Sequence, residues 1–505
     1  DATSTVNALA GPLTINGQAG TDTVTINDRG DAADNTGTLT AMTLTGLGTA
    51  GITYGGLETL RVQLGSGNDD FLIQSTNTGT IAYLDANTGD DLVVIGDATH
   101  TLAEMHGQIE LEPGAGNDTV RIDNSAATAN QSGILTSQDL TGFGLTIGIA
   151  YAAFENLELA LGQGKDNLFV AGTIAGTSVI DGHLGDDTIN IGSIGGVTTV
   201  YGDRVDSTDP AKRGTGGDDI IRVNYHQDGT QTFENGIDAL LTLNGGDGSD
   251  FYEIGLSGEA SPSGSAVTRI DVDSVHAGDM GSDRLNIYGT TQEDLFLFRP
   301  HAIMALELDE DRQPVTGGSV ERVNYTSVSG GITVFGRDGD DLFVLDDTSS
   351  SLTVRGDAGD DTFQIAQMFK SPRDAYAGLA SQDYFPTTLT TRGYLSNGVS
   401  YAASLYGGIG NDTFIVYHNK ADLWLYGEED DDTFTVRAFV AVDPNDPLKP
   451  ITNINGGLGK DFITYTVNAP VHVEGGEGTD TLVVVGTEYA DKFVATDMGI
   501  YGAGL

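Results

Sequence analysis

The sequence contains no cysteine, which excludes disulfide frameworks and thiolate metal sites. Basic residues are scarce: 23 Lys and Arg stand against 73 Asp and Glu, a formal charge of −50 over 505 residues. A polyanion of this kind has no field with which to hold nucleic acid or an anionic membrane. No run of 18 apolar residues occurs, so no helical membrane insertion is expected. Asp1 opens without a basic stretch followed by an apolar one, so any secretion signal is expected to be removed or to lie outside these residues. The nucleophile elbow and the P-loop are both missing. His100 and His106 bracket Glu104, but not at the spacing of a helical zinc motif, and no zinc site is expected there.

What the chain has instead is glycine, 71 residues, roughly twice the usual share. It sits beside Asp and Asn without a collagen period, which marks turns with positive φ. Between the turns lie short runs of Thr, Val, Ile, Phe and Tyr, a strand composition. With 38% hydrophobic residues in regular runs, the chain is not expected to be disordered despite its charge.

The turns share one word, Gly-x-Asp-x-apolar-x-apolar. It places Asp22, Asp69, Asp91, Asp118, Asp166, Asp187, Asp219, Asp250, Asp283, Asp341, Asp361, Asp412, Asp461 and Asp480 in equivalent positions. Degenerate copies carry Asp294, Asp432 and Asp491. A longer repeat overlies it: Asp22, Asp69 and Asp91 recur 96 or 97 residues later as Asp118, Asp166 and Asp187, and Tyr54 recurs as Tyr151. A third copy is expected at Asp294, Asp341 and Asp361 with Tyr325 in the tyrosine position, and a fourth opens at Asp491. This break within a repeat suggests part of a longer polypeptide or a stack completed by a neighbouring chain. The expected segments are copy 1 at 1–100, copy 2 at 101–196, irregular coils at 197–290, copy 3 at 291–370, an insertion at 371–404, regular turns at 405–485, and the truncated copy at 486–505.

Steps of 19 to 20 residues, as from Asp412 to Asp432, read as strand, polar turn, strand and acidic turn. Such a coil cannot bury its apolar face alone, and stacking at about 4.8 Å completes two sheets. The expected fold is all-β, a parallel β-solenoid of stacked short coils with Gly-Asp calcium turns along one edge, about 100 Å long if it runs as one rod. Steps near 47 residues would hold two coils, one without the acidic turn. Phe71, Phe343, Phe363, Phe414 and Phe434 are expected to point inward. Trp424 alternates with Leu423 and Leu425 and is assigned chiefly to packing, with sugar stacking as the alternative. The stretch 366–404, with Tyr376, Tyr384, Phe385 and Tyr394, is the expected contact surface, and no cluster of basic residues is evident along any run of coils.

Stacking places each acidic turn over the next, where two carboxylates one strand spacing apart repel by about 3 to 4 kcal/mol at an effective dielectric near 20. Calcium would neutralise them, being hard, flexible in coordination and served by carboxylates and carbonyls. GGIGNDTFI at 407–415, GGLGKDFIT at 456–464 and GGEGTDTLV at 475–483 resemble the GGxGxDxUx nonapeptide of RTX (hemolysin-type) calcium-binding repeats. The resemblance implies a parallel β-roll, secretion, and calcium held between turns. By it Asp412, Asp461 and Asp480 are the first-choice ligands, followed by Asp69, Asp91, Asp118, Asp166, Asp187, Asp250, Asp341, Asp361 and Asp432. RTX words follow one another every nine residues. Here they come once per 19 to 50, so one regular metal edge is expected instead of two. The wider repeat resembles tandem segments of very large bacterial surface proteins, adhesins among them. The expected function is therefore a secreted, calcium-binding structural or adhesive rod, stalk or filament segment at a bacterial surface, and not an enzyme. Its expected partners are calcium, identical chains end to end, and a cell-surface or matrix polysaccharide. The alternative is a polysaccharide lyase or epimerase built on a β-helix, or its RTX module.

Overall fold

The computed structural model describes residues 4–204, 216–273, 281–308, 313–326, 328–374, 383–440, 451–466, 471–486, 491–496 and 499–504. Tyr376 and the proline-rich loop 442–450 lie outside the described residues. The chain forms two compact units. The first holds Asp1–Thr232, Gly236–Phe251 and His276–Gly281; the second holds Phe233–Asn235, Tyr252–Val275 and Ser282–Leu505. The change of unit near residue 251 falls inside the irregular segment 197–290.

Each unit is a parallel β-solenoid without α-helix among the described residues, as the word spacing predicts. Successive strands alternate between two sheets, here called A and B, and pair in register with the strand one coil away. Period-two alternation sets which side chains go inside. In Thr413–Asn419, Phe414 and Val416 are buried while Thr413 and Ile415 are half-buried on the other face. The inward phenylalanines are where expected, with Phe71, Phe343, Phe363, Phe414 and Phe434 all at 1% exposure or less. Four of them stack face to face at centroid distances of 4.8, 4.6 and 4.7 Å, one strand spacing apart. Such stacking adds about 0.5–1.5 kcal/mol per pair beyond burial and fixes the register of the coils.

The steps near 47 residues differ from the expectation of two plain coils. In each, three consecutive strands lie in one sheet as an antiparallel meander. The first is Thr36–Leu39, Thr43–Gly46 and Ile52–Gly55 in sheet A. The second is Ser132–Leu135, Asp139–Gly142 and Ile149–Tyr151 in sheet B. The third, in the second unit, is Leu295–Arg299, Ala302–Leu306 and Val320–Tyr325 in sheet A. The outer strands of each meander pair in parallel with the flanking coils, so the stack continues through it.

The tyrosine that marks the long repeat closes each meander. The buried hydroxyls of Tyr54, Tyr151 and Tyr325 donate to the carbonyls of Thr40, Thr136 (2.9 Å) and Arg299 (2.9 Å), each at or just past the end of the first meander strand. Burial raises the pKa of all three phenols. The 97-residue period is thus the period of the meander.

The insertion within 366–404 carries a three-stranded antiparallel sheet of Met368–Phe369, Gly393–Ser396 and Thr387–Thr390. Basic residues do gather here, contrary to the sequence reading. Arg322 donates to Asp383 at 2.7 Å, and Arg299 lies 3.7 Å from the same carboxylate and 3.8 Å from Asp346. Both arginines are largely buried, and Phe385, an expected contact residue, is in the core at 1% exposure. Mutual pairing with carboxylates accounts for these charges, which pin the insertion to its coil.

Replacing Tyr151 by Phe keeps the ring and leaves the Thr136 carbonyl without its donor. The unfolding free energy should fall by about 1–3 kcal/mol. In urea denaturation the midpoint should drop for Tyr151→Phe and stay unchanged for Tyr401→Phe, whose side chain is exposed. Equal midpoints for parent and Tyr151→Phe would refute the latch.

Candidate cation-binding turns

Three backbone requirements write the word GGxGxD. The residues four and two before the aspartate take positive φ in most turns, as at Gly408 (120°) and Gly410 (132°). Non-glycine occupants such as Arg337, Asp357 and Glu428 hold the same left-handed conformation at φ 85°, 73° and 81°. The residue five before has an ordinary φ, but a Cβ there would meet the aspartate itself. On Gly427 it would lie 1.9 Å from Oδ2 of Asp432 and 2.2 Å from the carbonyl oxygen of Gly456, one coil on.

The aspartates form hydrogen-bonded ladders. Oδ1 of each accepts the backbone N–H of the equivalent residue one coil earlier. In the first unit Asn35, Asp69 and Asp91 donate to Asp69, Asp91 and Asp118 at 2.8, 2.7 and 2.8 Å. A second run passes from Gln131 through Asp166, Asp187 and Asp219 to Asp250. In the second unit one run climbs from Asp294 through Asp341, Asp361, Asp412, Asp432 and Asp461 to Asp480. All twelve predicted residues are therefore rungs. Asp219, left out of the predicted set, is a rung as well, and Asp294, also left out, opens the run of the second unit.

Within each run the turns keep to one edge. In the first unit, however, the first run precedes sheet A strands and the second precedes sheet B strands, so the two runs occupy opposite edges. The meander makes the change. The residue before it (Asn35, Gln131 or Asp294) starts a new ladder, and the residue after it closes the old one. Glu58, Glu155 and Ser329 receive the N–H groups of Asp22, Asp118 and Asp283 at 2.7, 2.9 and 3.0 Å. Asp283, not Asp294, therefore stands where Asp22 and Asp118 stand, and the third copy opens before residue 291. The glutamates were visible in the repeated flanks, 97 residues apart, as Glu58 and Glu155.

A second, outer ladder runs the opposite way through the residue before each aspartate. Asp90, Asn117, Asp360 and Asn411 donate N–H groups to the side chains of Asn68, Asp90, Asp340 and Asp360 on the preceding coil, at 2.8–2.9 Å. This explains the Asn or Asp that so often precedes the key aspartate. The two ladders satisfy N–H groups that the sheets do not reach.

Oδ2 separates the predicted ligands. In Asp69 and Asp166 it accepts the N–H of Gly65 (3.2 Å) and Gly162 (2.8 Å). In Asp91, Asp118, Asp187, Asp219, Asp412, Asp432 and Asp461 it is buried without a hydrogen-bond donor. Burial pushes Asp91 up to about 7 and Asp187, Asp412 and Asp432 up to about 8. The charges acting on Asp412 are those of Asp361, Asp432 and Asp360, all of its own sign. Such a carboxyl needs either a proton or a cation. Oxygen donors gather around the glycine five residues earlier: a Cβ on Gly407 would meet both Oδ2 of Asp412 and the carbonyl oxygen of Gly427 one coil on. That set suits a hard cation such as calcium and no soft metal. No group of three or more His, Cys, Asp or Glu side chains suited to a metal occurs among the described residues. Any ion must therefore draw on main-chain carbonyls. Asp187, Asp412, Asp432 and Asp461, each with glycine five residues earlier, fit best. Asp91 and Asp118 have Ala86 and Pro113 at that place.

No family model matches the chain, and no curated protein is significantly similar to it.

Two outcomes follow. Gly427→Ala forces the turn apart and should cost about 1–3 kcal/mol, read as a lowered unfolding midpoint. In chelator, the raised carboxyls bind protons in the folded state that the unfolded chain releases near its ordinary value of 3.8. Stability should then be greatest below pH 4, fall as pH rises to about 8, and level off above. Urea midpoints that rise across this window would contradict the assignment.

Proposed function

We propose that the chain is a calcium-stabilised structural repeat protein of the bacterial cell surface or extracellular space, serving as a support or adhesive element and not as a catalyst. The observation that carries this reading is the column of aspartates whose Oδ2 atoms are buried without a hydrogen-bond donor, among charges of their own sign and beside glycine carbonyls of the next coil. Calcium supplies positive charge that this chain, with 23 basic residues, does not. In a calcium-poor cytosol the acidic turns would oppose folding, and export into millimolar calcium would drive it. Asp187, Asp412, Asp432 and Asp461 would hold the ions with the carbonyls of Gly202, Gly427, Gly456 and Gly475 beside them. The arginines near Asp383 are buried among carboxylates, which speaks against a lyase centre there.

Asp432→Asn discriminates calcium binding from a purely hydrogen-bonded ladder. The amide oxygen still accepts the Asp412 N–H, while the charge is lost. In chelator at pH 8 the variant should unfold at a temperature equal to or above that of the parent. Added calcium should raise the parent's transition more than the variant's. An identical calcium response, or none in either protein, would refute the proposal.

A further inference from the structure

The outward face of sheet B in the second unit carries a second pattern, independent of the acidic turns. In-register pairing sets Tyr288, Phe335, Arg355, Tyr406, Tyr426, Asn455 and Glu474 in one column across seven coils. A parallel column two residues away includes Ser404, Trp424, Asn453 and His472. Tyr288 stacks on Phe335 at 4.8 Å, the Arg355 guanidinium lies 4.5 Å from the Tyr406 ring, and Tyr406 stacks on Tyr426 at 4.6 Å. Trp424, assigned from sequence chiefly to packing, is on this surface, while its neighbours Leu423 and Leu425 are buried. Cross-strand ring pairs stabilise sheets, and that role accounts for the stacks. It does not account for the open groove beside them, whose lining includes Trp424, Tyr426, Asn453, Asn455, His472 and Glu474.

We propose that this strip binds a neutral, extended polysaccharide lying across the coils. The groove measures about 190 Å³, less than the ~300 Å³ of a site that encloses a small ligand, so its occupant lies across it. Tyr406 covers one face of Tyr426, so its other face, toward Asn455, and the Trp424 indole are the apolar surfaces left for the C–H face of a pyranose. The two asparagine amides each present donors and an acceptor to hydroxyl groups. The contacts recur at the strand spacing of about 4.8 Å, commensurate with successive sugar units along a chain. Charge selects among polymers. The protein's −50 repels uronate and sulfate chains, and the groove's one carboxylate, Glu474, faces His472 at 3.4 Å. Neither polyanion nor polycation finds a complement there.

Trp424 is the chain's single tryptophan, so its fluorescence reports on this strip alone. The full chain, in calcium, is titrated with hexasaccharides of β-1,4-linked glucose and of β-1,4-linked N-acetylglucosamine, with decalysine and a hexauronate as charged probes. A saturable emission change is expected with at least one neutral hexasaccharide. Its affinity should weaken at least tenfold in both Tyr426→Ala and Asn455→Ala, with circular dichroism unchanged. Asn455 takes no part in the ring stack, so its effect separates binding from loss of packing. No response to either neutral sugar, a response to a charged probe alone, or unaltered affinity in both variants would overturn the proposal.

Discussion

One constraint governs this molecule: a carboxylate placed at the same point of every coil faces another one strand spacing away. At an effective dielectric near 20 that contact costs about 3 to 4 kcal/mol per pair. The chain accepts it because the carboxylate is also the best available cap for a backbone N–H the sheet cannot pair. The Asp412 N–H bonds to Asp432 at 2.8 Å, and the same bond recurs along each run. Everything distinctive about the acidic word follows. Glycine clears the place five residues earlier, left-handed turns aim the backbone, and Asn or Asp one position before the key aspartate builds the outer ladder. What the fold leaves over is the second carboxylate oxygen, buried and facing like charge, and this is the atom on which the calcium reading depends.

The meander is the second organising device. It changes the edge on which the aspartates run, closing one ladder at Glu155 and opening another at Gln131. A parallel stack would otherwise repeat one edge indefinitely. The phenol latch holds the reversed strand in place, with the Tyr151 hydroxyl on the Thr136 carbonyl. The longer repeat in the sequence therefore records a change of edge superimposed on the simple coil period.

Much of this was legible beforehand. Strand alternation, inward phenylalanines and parallel stacking follow from period-two patterning and a regular step, so the solenoid and its acidic rungs were readable from residues 341 to 480. The antiparallel strand was not. Thr43–Gly46 reads TLTG, the same apolar alternation as its parallel neighbours, and direction leaves no mark on such a pattern. Spacing equates Asp294 with Asp22 because it cannot tell the first rung of one ladder from the last rung of the ladder before it. Arg299 and Arg322 lie more than 60 residues before Asp383, and only the docked insertion brings that carboxylate to them. Asp69 and Asp166 matched the word as well as their neighbours did. Whether Oδ2 is already bonded to an N–H depends on the local turn path, which the word does not encode.

The most direct measurement is the metal content of the folded chain. Protein dialysed at pH 8 against micromolar calcium in metal-free buffer should retain several calcium ions per chain by atomic emission. Stripping them with chelator should release strand structure in circular dichroism. A chain that holds its full strand signal at pH 8 with no bound cation would contradict the account, because its buried aspartates would then be neutralised by other means.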